Sequence, residues 1–317
     1  MTTTPPAGAS HASDDVTGDL HVVVGSGPLG RAVACALIGQ GRRVRMVSRS
    51  GRGVAGAESR AVDIGVADDY AAGATVVYQC AQPAYHRWVE EFPALQRRVL
   101  DEAARAGARL VVADNLYAFG DGGGDVISDA SVRAPRSRKG ELRAAMAEEA
   151  LAAHAAGRLE VALTQPSNYL GGGYHQFDSS VVAPALRGRT MRFLGPLDQP
   201  HAFSFVPDAG RAMAAIGVGD RGWGRSWVTP VLPAVTQGEL AELVWRAAGR
   251  AGEAKVSGMS KRTARVLGAF IPDLGALVEM WYEFDAPYLV DASGFEAEFG
   301  VAASSWDAVL DDLVGTR

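Results

Sequence analysis

Short apolar runs alternate with longer amphipathic stretches through the first half of the chain, the rhythm of strand followed by helix. Residues 20–24 form the first run and lead directly into Gly25-Ser26-Gly27-Pro28-Leu29-Gly30, after which 31–40 read as a helix. Further strands are predicted over 43–47, 60–64, 74–80, 109–113 and 159–164. Helices are predicted over 84–106, where Pro93 marks a kink or break, and over 140–156. Strands and helices in alternation imply parallel βαβ units with helices on both faces of one sheet. The fold class is therefore α/β, a doubly wound Rossmann parallel sheet.

Past Gln165 the rhythm is lost: residues 168–177 are rich in Gly, Tyr and His, and short elements of mixed type follow. This divides the chain into a disordered tail at 1–18, a dinucleotide-binding Rossmann domain at 19–165 and a smaller C-terminal substrate-binding region at 166–317, of which 200–230 return to the Rossmann core. With 317 residues, 48% hydrophobic and 21% charged, the chain is long and apolar enough for such an arrangement, and a disordered, collagenous or disulfide-stapled protein is excluded.

Thirty-one basic residues against 36 acidic ones give a net charge of -5, which argues against a broad nucleic-acid surface. Cys35 and Cys80 fall in a predicted helix and strand without metal-ligand spacing, so both are expected to be buried thiols in a reducing compartment, and no metal site is expected. The N-terminus lacks a positive start and apolar segment, and no apolar run reaches about 18 residues. A soluble, cytoplasmic protein with a small-molecule substrate, no membrane partner and no nucleic-acid partner is expected.

The glycines carry the first chemical signal, because they follow a strand and open a helix. Gly25 permits a tight turn, Gly27 lets a pyrophosphate approach the backbone, and Gly30 lets the helix pack on the sheet. Pro28 and Leu29 begin the helix whose free N–H groups and partial positive charge suit phosphates. An NAD enzyme usually carries Asp or Glu about 20 residues on, to bond the ribose 2′-hydroxyl. Here the second strand ends in Ser48-Arg49-Ser50, and an arginine flanked by hydroxyls suits a 2′-phosphate, so NADP(H) is the expected cofactor. Asp63 would then lie beside the adenine, and Cys80, Ala81 and Gln82 under the cofactor ribose, since ligands bind at the carboxyl ends of parallel strands.

These segments resemble the extended short-chain dehydrogenase/reductases, in particular the NAD-dependent epimerase/dehydratase group. The resemblance rests on GSGPLG at 25–30, VVYQCAQP at 76–83, LVVADNLYAFG at 110–120, SRKGELRAAMAEEALAAH at 137–154, PSNYLGGG at 166–173 and FLGPLDQPHAFSFVPDAGRAM at 193–213. It implies a cofactor contact from Gln165, Pro166, Ser167 and Asn168, and a catalytic Ser or Thr, Tyr and Lys with the last two spaced Tyr-x-x-x-Lys. In such a set the lysine bonds the nicotinamide ribose and lowers the tyrosine pKa. Lys139 stands at the lysine position, one of three lysines against 28 arginines. Pro135 stands at the tyrosine position and Asn115 at the Ser/Thr position, where an amide can orient a carbonyl but cannot act as an acid. Helices at 84–106 and 140–156 match those that pair in family dimers, so a homodimer is one expected assembly.

Hydride chemistry belongs to the cofactor and survives this loss, whereas protonation of the product oxygen needs another source. Tyr117, His175, His201, a held water or a hydroxyl of the substrate could supply it. The candidate catalytic residues are thus Lys139, Asn115 and Tyr117. Pro83, Tyr85, Trp88, Tyr117, Phe119, Tyr169, Tyr174, Phe177, Phe203 and Trp281, with His175 and His201, suggest a pocket for a flat hydrophobic ligand. The segment 200–206 lacks the arginine that nucleotide-sugar members use on a diphosphate. The loss of the tyrosine and the aromatic walls together resemble atypical ketoreductases of aromatic polyketide pathways. Three readings follow: NADPH-dependent reduction of a bulky, polycyclic ketone, nucleotide-sugar epimerisation or dehydration, and a non-catalytic dinucleotide sensor.

Overall fold

The computed structural model describes residues 18–315, so the tail expected at 1–18 lies, apart from Gly18, outside the described residues. A seven-stranded, wholly parallel sheet organises the molecule. Its strands are β1 (Leu20–Val24), β2 (Arg43–Ser48), β3 (Glu58–Ala61), β4 (Ala74–Gln79), β5 (Arg109–Ala113), β6 (Val161–Gln165) and the Ser226–Val228 strand. From one edge the order is Ser226–Val228, β6, β5, β4, β1, β2, β3. The winding therefore reverses between β4 and β1, which opens a crevice at their carboxyl ends. Every residue of β1 is buried, as a strand covered on both faces requires.

Three helices of the first half are α1 (Pro28–Gly39), α2 (Trp88–Arg105) and α3 (Arg138–Ala155). Val99, Leu100, Ala103, Ala147, Ala150 and Ala153, on the inward stripes of α2 and α3, close one face of the sheet over Val22, Val77 and Leu110. The other face is closed by α1 and the Val206–Val218 helix through Val33, Leu37, Met213 and Ile216. Those two helices cross so tightly that a Cβ on Gly210 would sit 2.6 Å from the Ala32 carbonyl carbon. A third core, built on Phe177, Val182, Met191, Phe205, Leu240 and Trp245, lies in the C-terminal part. There a capping box at Thr236 and Glu239 starts the Gln237–Ala247 helix.

Several expected elements shift. The third strand is β3 at Glu58–Ala61 rather than 60–64, an edge strand with all four residues exposed, held by the Arg45 Nε to Glu58 bond of 3.0 Å. α2 runs on through Pro93, which forfeits one backbone hydrogen bond without ending the helix. A 3-10 turn at Tyr85–Arg87 precedes it. Cys35 is exposed on α1, contrary to the expected burial, because it lies off the inward stripe; Cys80 is half-buried at the end of β4, and desolvation pushes its thiol pKa up. Among the described residues no helix is long and apolar enough to cross a membrane.

Candidate active site

One cavity of about 1640 Å³ runs from the glycine turn, past the ends of β2 and β4, into the C-terminal part. At its β1 end each glycine does a different thing. Gly25 has φ 112°, and a Cβ there would meet the Ala81 nitrogen at 2.8 Å. Gly30 lets α1 approach its own turn, since a Cβ would lie 2.1 Å from the Gly25 carbonyl oxygen. Gly27 has an ordinary φ of -70° and nothing within 4 Å of a built Cβ. The fold itself makes no demand for glycine at 27, so the open space in front of it is a cradle that a side chain would fill and a pyrophosphate fits.

Of the cofactor-side residues expected from the sequence, Gly25, Gly27, Pro28, Leu29, Ser48, Arg49, Ser50, Asp63, Cys80, Ala81, Gln82, Asn115, Pro166, Ser167 and Asn168 all line this cavity. Arg49 is exposed and has no ion-pair partner among the described residues, while Ser48 and Ser50 hydroxyls stand 3.3 Å apart beside it. Asp63 is committed to its own turn, accepting from the Gly65 N–H at 2.9 Å. Asn115 spends its carbonyl oxygen on the Tyr117 N–H at 3.1 Å, which leaves the amide NH₂ available.

On the substrate side Pro83, Tyr85, Trp88, Tyr117, Tyr169, Tyr174, His175, Phe177 and Phe203 line the cavity. Trp88 sits edge-on to Tyr85 at 4.9 Å, and Tyr169 edge-on to Tyr174 at 5.9 Å. Tyr85 donates to the Tyr117 hydroxyl at 3.3 Å. Burial pushes the Tyr117 phenol well above its usual range, which makes it a poor acid at neutral pH.

Six expected residues are not brought to the cavity wall. Gly30 and Phe119 are structural, Phe119 packing with Leu116, Ile127 and Tyr288. Gln165 turns its amide to Asp114 at 2.9 Å. Trp281 is 1% exposed and borders a separate, smaller cavity with Gly195 and Met259. His201 is 3% exposed, stacked on Phe284 at 5.8 Å and on Tyr288 at 5.2 Å, and burial lowers its pKa to about 4. A neutral imidazole so enclosed is a core residue, not a proton donor to a ligand.

Lys139 is the sixth. It sits in the first turn of α3, which packs on the Tyr117–Phe119 turn through Gly140, where a Cβ would lie 2.7 Å from the Tyr117 carbonyl oxygen. Its ammonium is 4.7 Å above the Tyr85 ring, donates to Glu279 Oε1 at 2.7 Å and to the Ala276 carbonyl at 3.1 Å. The charge is thus engaged by the Pro272–Leu277 helix and the turn after it, not presented to the cavity. Pro135 is half-buried beside the same turn and has no proton to give.

The sequence reading passed over a buried pair and a buried acid. Asp114 and Arg143 form an ion pair with Nε to Oδ1 at 2.7 Å, both 6% exposed or less, in the cavity wall behind Asn115. Glu283 also lines the cavity, 1% exposed, with Oε2 accepting from Asn168 at 3.3 Å and Oε1 without a partner among the described residues. Asn168 Nδ2 also lies 3.3 Å from His201 Nε2, and His201 Nδ1 lies 3.1 Å from the Glu283 carbonyl. A carbonyl only accepts, so Nδ1 carries the imidazole proton and Nε2 accepts from Asn168. Burial raises the Glu283 pKa to about 8, the Asn168 bond acting in the opposite sense. Its sequence signal is an acid inside the aromatic run Trp281-Tyr282-Glu283-Phe284, a residue type that is almost never buried without a partner.

Residues 21–221 match the model of the NAD dependent epimerase/dehydratase family. Solved structures of like architecture include MoeE5 in complex with UDP-glucuronic acid and NAD, at TM-score 0.73 and 21% identity over 94% of this chain and 98% of that one. They include a double mutant of DesIV, the dTDP-glucose 4,6-dehydratase of Streptomyces venezuelae, with NAD and DAU bound, at 0.74 and 18% over 94% and 96%. UDP-glucuronic acid 4-epimerase from Bacillus cereus in complex with NAD matches at 0.74 and 11% over 92% and 96%. No curated protein matches the chain. At these identities the solved structures establish a shared fold.

Proposed function

The chain belongs to the NAD dependent epimerase/dehydratase family, and on that premise we propose that it binds a nicotinamide dinucleotide, with NADP(H) preferred, and interconverts a ketone and an alcohol on a bulky aromatic small molecule. The observation that carries the reading is the continuous cavity joining the Gly27 cradle and the unpaired Arg49 to walls of Tyr85, Trp88, Tyr117, Tyr169 and Tyr174. The glycine turn and the α1 N-terminus would hold the pyrophosphate, Arg49 and Ser48 or Ser50 a 2′-phosphate, and Cys80 to Gln82 the riboses. When bound, the dinucleotide supplies or accepts the hydride. The chain's own part is to hold a flat ligand against the aromatic walls, to keep water out, and to point the Asn115 NH₂ at the ligand's oxygen.

Nucleotide-sugar epimerisation or dehydration is the second reading, and family membership, with one neighbour solved with UDP-glucuronic acid and another a dTDP-glucose 4,6-dehydratase, supports it more strongly than it supports ketone reduction. Arg192, exposed at the C-terminal end of the cavity, is available for a diphosphate. Against it stands Pro135 where sugar oxidation would need a phenol to take the proton, whereas an aromatic ketone could be protonated by another group.

The test has two arms. Fluorescence titration should show tighter binding of NADPH than NADH, with Arg49→Asp weakening NADPH about 10-fold or more and NADH by less than about threefold. NADPH oxidation is then followed with α-tetralone, fluorenone and a hydroxylated anthraquinone, while UDP-glucose and dTDP-glucose are incubated with NAD and read by NMR. Turnover confined to the sugars would replace the first reading by the second, and dinucleotide binding without turnover of either class would favour a sensor.

A further inference from the structure

We infer that Glu283 is the proton donor of this site, the group that takes over from the missing tyrosine; the inference rests on the ketone-reduction reading. Three features of the geometry point to it. Glu283 lies in the wall of the cavity together with Asn168, which bonds its carboxyl, and with Phe284 and Tyr288. Only one of its oxygens has a partner among the described residues, Asn168 on Oε2, so a proton on the buried Oε1 is bonded to none of their groups. The imidazole of His201 and the amide of Asn168 close a ring of bonds onto the Glu283 backbone and side chain, which fixes where that free oxygen stands.

The surroundings keep the acid neutral until it is needed. The titratable groups facing it are the phenols of Tyr85, Tyr117, Tyr174, Tyr282 and Tyr288, together with His201. Burial pushes each phenol above its usual range and the imidazole below it, so all six are uncharged at neutral pH. No lysine or arginine is among the groups that act on Glu283, and Lys139 is already neutralised by Glu279. With burial holding its pKa at about 8, Glu283 is a far stronger acid than the raised phenols and is still protonated at pH 7.

The step balances simply. As the carbonyl carbon gains a hydride, with reduced nicotinamide as the reductant, the C=O π pair moves onto oxygen. That oxygen takes the proton from Oε1; the carboxyl O–H bond breaks and the alcohol O–H bond forms. The carboxylate that remains regains a proton from solvent before the next turnover.

Infrared difference spectra of the full chain against Glu283→Gln, titrated between about pH 5 and pH 10, should contain a protonated-carboxyl band that disappears with a midpoint of about 8. With NADPH and the aromatic ketones named above, Glu283→Gln should lower kcat about 100-fold, leave KM within about twofold, and abolish the wild-type fall in kcat above about pH 8. NADPH binding by the Gln variant, unchanged within about twofold, shows that it is folded. Glu283→Asp, an acid one methylene short, should restore part of the rate and the alkaline fall. A carboxylate already ionised at about pH 6, or a Gln variant with kcat within about threefold of wild type, overturns the assignment. Failure of the wild type to reduce any of the ketones instead overturns the reading on which it rests.

Discussion

At the scale of single residues, the glycine turn separates what the fold needs from what a ligand needs. Gly30 cannot carry a Cβ, which would lie 2.1 Å from a backbone oxygen that has nowhere to go. Gly30→Ala should therefore lower stability by about 1–3 kcal/mol, read as a fall in Tm with or without dinucleotide. Gly27 faces open space, so Gly27→Ala should cost only about 0.5–1 kcal/mol, the difference between glycine and alanine at a helix N-cap. The same methyl would fill the cradle, and NADPH affinity should fall about 10-fold or more by fluorescence titration. If Gly27→Ala binds NADPH like wild type, the pyrophosphate does not lie on this turn. Both glycines are equally visible in the motif, but only the surroundings of their missing Cβ atoms tell the two kinds of constraint apart.

Among the elements, the Pro272–Leu277 helix and the turn that follows are tied to the Rossmann half mainly by polar bonds, Met280 being the one buried side chain they contribute. Asp273 takes the His86 ring at 2.6 Å, and Glu279 takes Lys139. Exposed apolar side chains of the neighbouring segment, Phe270 at 83% and Val266 at 67%, show how little of it is buried. Lys139→Met keeps the stem but deletes the charge, and it leaves the part-exposed Glu279 with the Arg138 N–H at 2.9 Å but no counter-charge. It should cost about 1–2 kcal/mol and speed limited proteolysis within 261–280. Loss of NADPH affinity with unchanged proteolysis would return Lys139 to the ribose role that its sequence position suggests. The sheet, its winding and the aromatic walls were legible in the sequence because each rests on a local pattern: apolar runs, glycines after a strand, rings on predicted loops. The engagement of Lys139 was not, since its partner lies 140 residues away in a segment without periodicity. For the same reason His201 and Trp281 were expected at the ligand: sequence displays a ring or an imidazole, while stacking on Phe284 and Tyr288 is decided by tertiary packing.

For the whole molecule, the buried titratable groups set opposite slopes of stability against pH. His201 and His21, the latter bonded to the Tyr78 hydroxyl at 2.9 Å, each have a folded pKa of about 4, lowered chiefly by burial from 6.5. Their contribution is present above 6.5 and is lost as pH falls towards 4, because the unfolded chain takes up protons first; for His201 the loss amounts to about 3 kcal/mol. Glu283 runs the other way. Its folded pKa of about 8 lies above the ordinary 4.5, so its contribution is complete below 4.5 and is lost as pH rises through 8. Stability should accordingly peak on the acid side of neutrality, and Glu283→Gln, which cannot ionise, should remove only the falling side. Thermal melts of wild type and variant, taken without cofactor, should differ by an amount that grows in favour of the variant from about pH 5 to about pH 8 and then levels off, reaching about 4 kcal/mol. Any penalty of the Gln amide itself is the same at every pH, so the slope alone reports the buried carboxyl. A difference that stays flat across this window would mean that Glu283 is ionised in the folded protein, and that the cavity wall is far wetter than its aromatic lining implies.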